Sequence, residues 1–451
     1  MKNVRDLLLV TILLVWAVCA EARFVGPTYA PVERLIENTR AFVKEHPEDG
    51  HGYYTLGRIH YLAFVNKASL VGGYPDSDGK PRMAPDWLQG NFARHARRHH
   101  AEQLILKQFG YSSVKKVPKD DRDDFHDAVR RKRKELESQG WKYPQLGDKQ
   151  LFENAAAAVR NFRKAVSLDK KNGLYHLGLA SVLEQYVDFL AEQKDQNVPV
   201  EFRGIIIDRS RDVYHTAYKH SIVKDLKVKY RPLAGLKSLV AYEAGAAYVR
   251  LSEAAEGLSK DDKHRVAIVK KDLKKLEGLL KPRWVTPIVF SFEQGGGLSD
   301  LLEPSLRVRF DLDGDGAAEL WPWVKPTTGI LVWDSEVDGV IRSGRQMFGS
   351  VSWWLFFADG YRALDTLDDN RDSSLAGREL AGISVWFDYD SDGVSDAGEV
   401  VALERLGVAA IATAANGQDA GCLMNSAGLT LGDGRTLPTY DWVASPVDST
   451  P

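Results

Sequence analysis

The chain has 451 residues, 44% hydrophobic and 27% charged, which excludes wholesale disorder and exceeds what one compact core organises, so two or three domains are expected. Its formal net charge is only −2, but between Asp311 and Glu399 stand 18 acidic residues against 6 basic ones. Such a concentrated acidic half suits cations and argues against a nucleic-acid partner.

At the N-terminus, Lys2 and Arg5 precede the apolar run LLLVTILLVWAV, and small residues then allow cleavage after Ala20 or Ala22. This pattern predicts an export signal over residues 1–22. The run is shorter than the roughly 20 apolar residues of a membrane helix, so no stable membrane span is expected. The location implied is periplasmic, cell-surface or extracellular. Cys422 is then the one cysteine left. An exported fold without an intramolecular disulfide needs another staple, and structural metal is one.

Residues 23–283 are expected to be all-α. VERLIENTRAFVKEH spaces Val32, Leu35, Ile36, Phe42 and Val43 near the helical period and stops at His46-Pro47. GYYTLGRIHYLAF begins a second helix, and the same grammar returns in AAAAVRNFRKAVSL, in LYHLGLASVLEQYVDFL and in LVAYEAGAAYVRLSEAA. Pro47, Tyr53, Leu56 and Gly57, then Ala158, Phe162, Ala165 and Gly178, and more loosely Gly245 and Tyr248, resemble divergent tetratricopeptide repeats. That resemblance implies a helical array whose concave surface binds a protein or peptide. Gly178 and Gly245 lie 67 residues apart, near two periods of about 34, whereas Gly57 and Gly178 are 121 apart. The excess is read as an insertion over residues 66–150. It holds a basic run with His95, His99 and His100, read as a solvated face because Arg94, Arg97 and Arg98 crowd it with positive charge.

Beyond residue 283 the pattern changes. WVTPIVFSF, LRVRF, ILVW and ISVWF read as strands, while GYRALDTL and EVVALERLG read as short helices. The expectation for residues 284–451 is an α+β domain. Seven of the 11 tryptophans follow residue 320, and core packing is the expected use of Trp353 and Trp354.

Four acidic loops carry the chemistry. A calcium loop of the EF-hand type takes oxygen ligands at positions 1, 3 and 5, glycine at 6, a carbonyl at 7, a water-mediated ligand at 9 and a bidentate acid at 12. WFDYDSDGVSDAGE meets each requirement with Asp388, Asp390, Asp392, Gly393, the Val394 carbonyl, Asp396 and Glu399, the last placed at the start of a helix. LDDNRDSSLAGREL repeats the frame with Asp368, Asn370, Asp372, the Ser374 carbonyl and Glu379, but with Ser373 in place of the glycine. WDSEVDGVIRSGRQ holds Asp334, Glu336, Asp338 and Gly339 yet puts Arg345 at position 12, which leaves a structural turn and a weak site equally open. FDLDGDGAAELWPW supplies Asp311, Asp313 and Asp315 with Glu319 at position 9, as a strand-bordered calcium turn.

Taken in order, FDLDGDG, DGVIRSGRQMFG, DGYRALDTLDDN and VWFDYDSDGVSDAGE resemble a calcium-binding module of large exported bacterial proteins, hemolysin-type and adhesin-like ones among them. The resemblance implies a calcium-stabilised (Ca2+) binding or spacer module and no catalysis. The reading is therefore a non-enzymatic scaffold or adhesin-like protein. The alternative is an envelope-polymer hydrolase whose site, between insertion and array, would pair acids with His95 or His99.

Overall fold

A computed structural model describes residues 30–65, 122–138, 146–192, 200–227, 240–277 and 284–447, apart from breaks at 256, 294–295, 315–317 and 336–338, with isolated pieces between 67 and 118. The first half is helical: α1 (Val32–Glu45), α2 (Gly50–Val65), α3 (Arg122–Ser138), α4 (Asp148–Leu168), α5 (Gly173–Glu192), α6 (Val200–Asp225), α7 (Val240–Ala254) and α8 (Lys260–Glu277). Leaving α3 aside, each helix packs on the next in the chain: α1 on α2, α2 on α4, and onward through α8. Local chemistry sets the ends. Asp49 accepts from the amides of His51 (2.8 Å) and Gly52 (3.0 Å) at the start of α2, and the Asn172 side chain accepts from Leu174 at the start of α5. Glycine is needed where helices meet closely. A Cβ on Gly57 or Gly178 would stand 2.9 or 2.6 Å from the Phe162 ring, which fills the space between α2 and α5. His95, His99 and the segment 1–22 lie outside the described residues.

The second half is mostly β. Strands β1 (Ile288–Ser291), β2 (Leu302–Phe310), β3 (Glu319–Val324), β4 (Thr328–Trp333), β5 (Ser374–Ala376), β6 (Ile383–Trp386), β7 (Val400–Ala402), β8 (Val408–Ala412), β9 (Gly417–Asp419), β10 (Cys422–Leu431) and β11 (Thr436–Asp441) follow in order. Nine of them form one antiparallel sheet in the order β7-β6-β4-β1-β11-β10-β8-β5, with β9 beside β10, while β2 and β3 form a separate hairpin. Both faces of the sheet are covered. Leu331 and Trp333 of β4 join the core shared with the helices, and the alternate residues Ile330 and Val332 pack with Trp321 and Trp323 of the hairpin.

The α+β expectation is corrected here to a mainly β domain. GYRALDTL does form a short helix, Gly360–Asp365, capped by the Asp359 side chain. EVVALERLG instead gives β7 and one 3-10 turn, Leu403–Leu406. Val400 and Val401 pair with Trp386 and Val385 across the ladder, and this long-range pairing overrides the local helical spacing. Glu399 therefore leads into a strand, not a helix.

Candidate metal centre

The loop between β6 and β7 is built around two buried carboxylates. Asp388, fully buried, accepts from the amides of Asp392 (3.1 Å) and Gly393 (3.0 Å) and from the Trp323 indole (2.6 Å). Glu399, 5% exposed, accepts from the amides of Tyr389 (2.7 Å) and Asp396 (3.0 Å) and from the Trp386 indole (3.2 Å). Asp388, Asp390 and Asp392 converge so that one oxygen from each lies within 4.8 Å of the others. Glu399 is not in that group, and Asp396 stays exposed. Burial pushes the Asp388 carboxyl up to about 6, against its hydrogen bonds and with added repulsion from Glu399.

The loop that opens with Asp368, at the end of the short helix, repeats this frame position by position. The first carboxylate takes the sixth amide in both, Asp368 from Ser373 at 2.9 Å and Asp388 from Gly393. The fifth takes the seventh amide: Asp372 from Ser374 at 2.9 Å, Asp392 from Val394 at 2.7 Å. The twelfth takes the second and ninth amides, Glu379 from Asp369 (2.9 Å) and Ala376 (3.1 Å), as Glu399 does from Tyr389 and Asp396. Backbone dihedrals agree as well. Position 4 is left-handed in both loops (Arg371 and Ser391, φ 61°), and position 6 has φ 66° at Ser373 and 78° at Gly393. Ser373 thus adopts the turn that glycine normally supplies, at a steric cost of about 1 kcal/mol. Ser373→Gly is expected to stabilise the protein by about 0.5 kcal/mol, once the added freedom of the unfolded chain is subtracted; a denaturant midpoint unchanged or lowered would contradict this. Asn370 donates to Asp372 at 2.8 Å, and burial raises the Asp368 carboxyl above its usual range. The Asp368, Asp372 and Glu379 oxygens do not form one tight group among the described residues.

In the other two loops the acidic residues and Arg345 are redistributed. Gly339 (φ 69°) donates to Asp334 at 3.3 Å, the same bond from position 6 to position 1, while Glu336 and Asp338 lie outside the described residues. Arg345 leaves this loop. Its Nε donates to the Gly314 carbonyl at 2.6 Å, inside the β2–β3 turn, and its guanidinium lies 3.7 Å over the Trp354 ring. That turn gathers Asp311, Asp313 and Glu319 within 4.8 Å, and Asp315 lies outside the described residues. The donor sets of both groups are hard carboxylate oxygens at a mutual spacing that fits a cation with oxygens at about 2.3–2.6 Å. Asp388, Asp390, Asp392 and Asp311, Asp313, Glu319 are the residues that would hold it.

Trp323 and Trp386 were not singled out by spacing as partners of the loop. Trp386 could have been, since it stands two residues before Asp388. Trp323 could not, because 65 residues separate it from its acceptor. The two indoles meet edge-on at 5.8 Å beneath the loop.

Residues 290–443 match the family model of the SPM domain. Among curated proteins, iron-regulated protein FrpA of Neisseria meningitidis serogroup C is 35% identical over 104 residues, or 22% of this chain. The chain covers 9% of the length of that relative. The sheet half is therefore similar to the SPM domain, and a fifth of the chain is similar to part of FrpA.

Proposed function

We propose that this is an exported scaffold or adhesin-like protein in which calcium orders the sheet domain and the helical half, a divergent tetratricopeptide-like array, binds a protein or peptide partner. The observation that carries the reading is the loop frame shared by Asp368–Glu379 and Asp388–Glu399, in the second of which one oxygen each of Asp388, Asp390 and Asp392 lies within 4.8 Å of the others. A resident calcium would neutralise the Asp388, Asp390 and Asp392 carboxylates and hold β6 and β7, which flank that loop. Outside a cell, millimolar calcium saturates even sites with dissociation constants of roughly 0.1–1 mM. The chain of paired helices, each packed on its neighbour, supports the array reading.

Thermal unfolding of the full chain at pH 7.5 tests the calcium part. A site filled to a hundred times its dissociation constant adds about 2.7 kcal/mol, which raises the midpoint of a domain this size by about 5–10 °C over chelator. Equal midpoints would sink the reading. Acid provides a second arm. Calcium requires the Asp388 carboxylate, so affinity is full above about 6 and falls by up to about tenfold per pH unit below it, one proton being displaced per ion. Titration calorimetry at pH 7.5 and pH 5 reads that loss directly.

A further inference from the structure

The segment Trp353–Phe357 is folded against its own backbone preferences. Trp353, Trp354 and Phe356 have φ of 51°, 62° and 64°, the left-handed region that bulky side chains avoid. All five residues from Trp353 to Phe357 are buried. A segment of this kind persists only where its surroundings over-determine it. Part of that support comes from the sheet domain, where Trp353 packs edge-on against Trp333 and Phe348, each at 5.6 Å, and Arg345 covers Trp354.

The remaining support comes from the helical half, some 300 residues earlier in the chain. His51 of α2 holds the Phe356 carbonyl at 2.7 Å; with a carbonyl as its partner, Nε2 carries the proton and donates. Arg58, two turns further along α2, donates to the Trp354 carbonyl at 3.2 Å and lies 4.4 Å over the Phe356 ring. A polar rim closes beside them. Arg34 of α1 pairs with Asp369 at 2.7 Å and donates to the Leu367 carbonyl, and Asn38 donates to the Thr366 carbonyl at 2.9 Å. Arg371 reaches back to Glu45 at 3.0 Å, and Arg362 stacks on Phe42 at 3.4 Å.

We propose that α1 and α2 clamp the Trp353–Phe357 strap in its strained form, so that loosening their contacts with the sheet domain relaxes the strap. The contacts are of two kinds. The rim is ionic and partly exposed, hence separable by modest perturbation, whereas the strap is apolar and strained, hence biased to move once its two carbonyl clamps are gone. Docking and strain are therefore linked across the contact between the two halves.

Hydrogen exchange of the full chain, wild type against the Arg34→Ala/Arg58→Ala variant, tests this. The expected result is at least tenfold faster exchange in α1 and in amides 353–358, with amides of β4 and β6 unchanged. Three outcomes would overturn the proposal. In the first, α1 exchanges faster while 353–358 stays protected, so the sheet alone holds the strap. In the second, β4 and β6 accelerate equally, so the variant has loosened the whole domain. In the third, neither α1 nor the strap changes, so these arginines do not clamp the strap. An Arg58→Lys variant separates clamping from charge: lysine keeps the charge but not the Nε bond, and is expected to free the strap nearly as well as alanine.

Discussion

Replacing Glu399 by alanine is expected to destabilise the full chain by about 3–5 kcal/mol, because three donors, two of them backbone amides, lose their common acceptor and a buried unpaired donor costs roughly 1–3 kcal/mol. Those donors are the amides of Tyr389 and Asp396 and the Trp386 indole. The glutamate ties the second position of its loop to the ninth and fixes both against the sheet, so its loss frees the loop from both ends. Glu399→Gln separates the two roles of the side chain. One amide oxygen still accepts from the frame, so the stability loss is expected to fall to about 1–2 kcal/mol. On the proposed calcium reading, with Glu399 as the twelfth-position ligand beside the Asp388, Asp390 and Asp392 cluster, calcium affinity is expected to fall at least tenfold in both variants. Denaturant unfolding and titration calorimetry on the same preparations give the two numbers. A glutamine variant that binds calcium as tightly as wild type would remove position 12 from the site.

The second large effect is expected at Gly344. Its Cβ, if present, would stand 1.8 Å from the Leu312 carbonyl oxygen and 2.7 Å from the carbonyl carbon, both backbone atoms that no side-chain rotation can move away. Its amide also donates to the Asp311 carbonyl at 2.8 Å. The segment after Asp334 and the β2–β3 turn therefore touch backbone to backbone, and Arg345 crosses from one to the other at this point. Gly344→Ala must push the two loops apart, draw Arg345 off Gly314 and Trp354, and cost on the order of 3 kcal/mol or more. Gly434→Ala is the control: its φ is 87° but nothing lies within 4 Å of the new Cβ, so only backbone strain of about 1 kcal/mol is added. Gly344 itself is not left-handed, so a loss in Gly344→Ala no larger than that in Gly434→Ala would contradict the cost assigned to the close approach.

The sequence carried the parts of this protein whose hydrogen bonds close within about a dozen residues. Asp388 and Gly393, Asp392 and Val394, or Glu379 and Ala376 are neighbours by construction, so the spacing of acids along the chain was enough to lay out two equivalent loops. Helices α1 and α2 were legible for the same reason, through apolar periodicity and the proline after His46. Tertiary structure decided what depended on distant partners. Whether Val400 and Val401 became helix or strand rested on Trp386 and Val385 lying alongside. The destination of Arg345 rested on the β2–β3 turn, and position 12 of its own frame proved to be a neighbouring loop's contact. The docking of α1 on Asp369 joins residues 335 apart. A local pattern encodes an interaction only when both of its partners sit within the pattern; side-chain reach across a packed interface is set by how sheets and helices stack, and no spacing rule along one strand or helix contains that information.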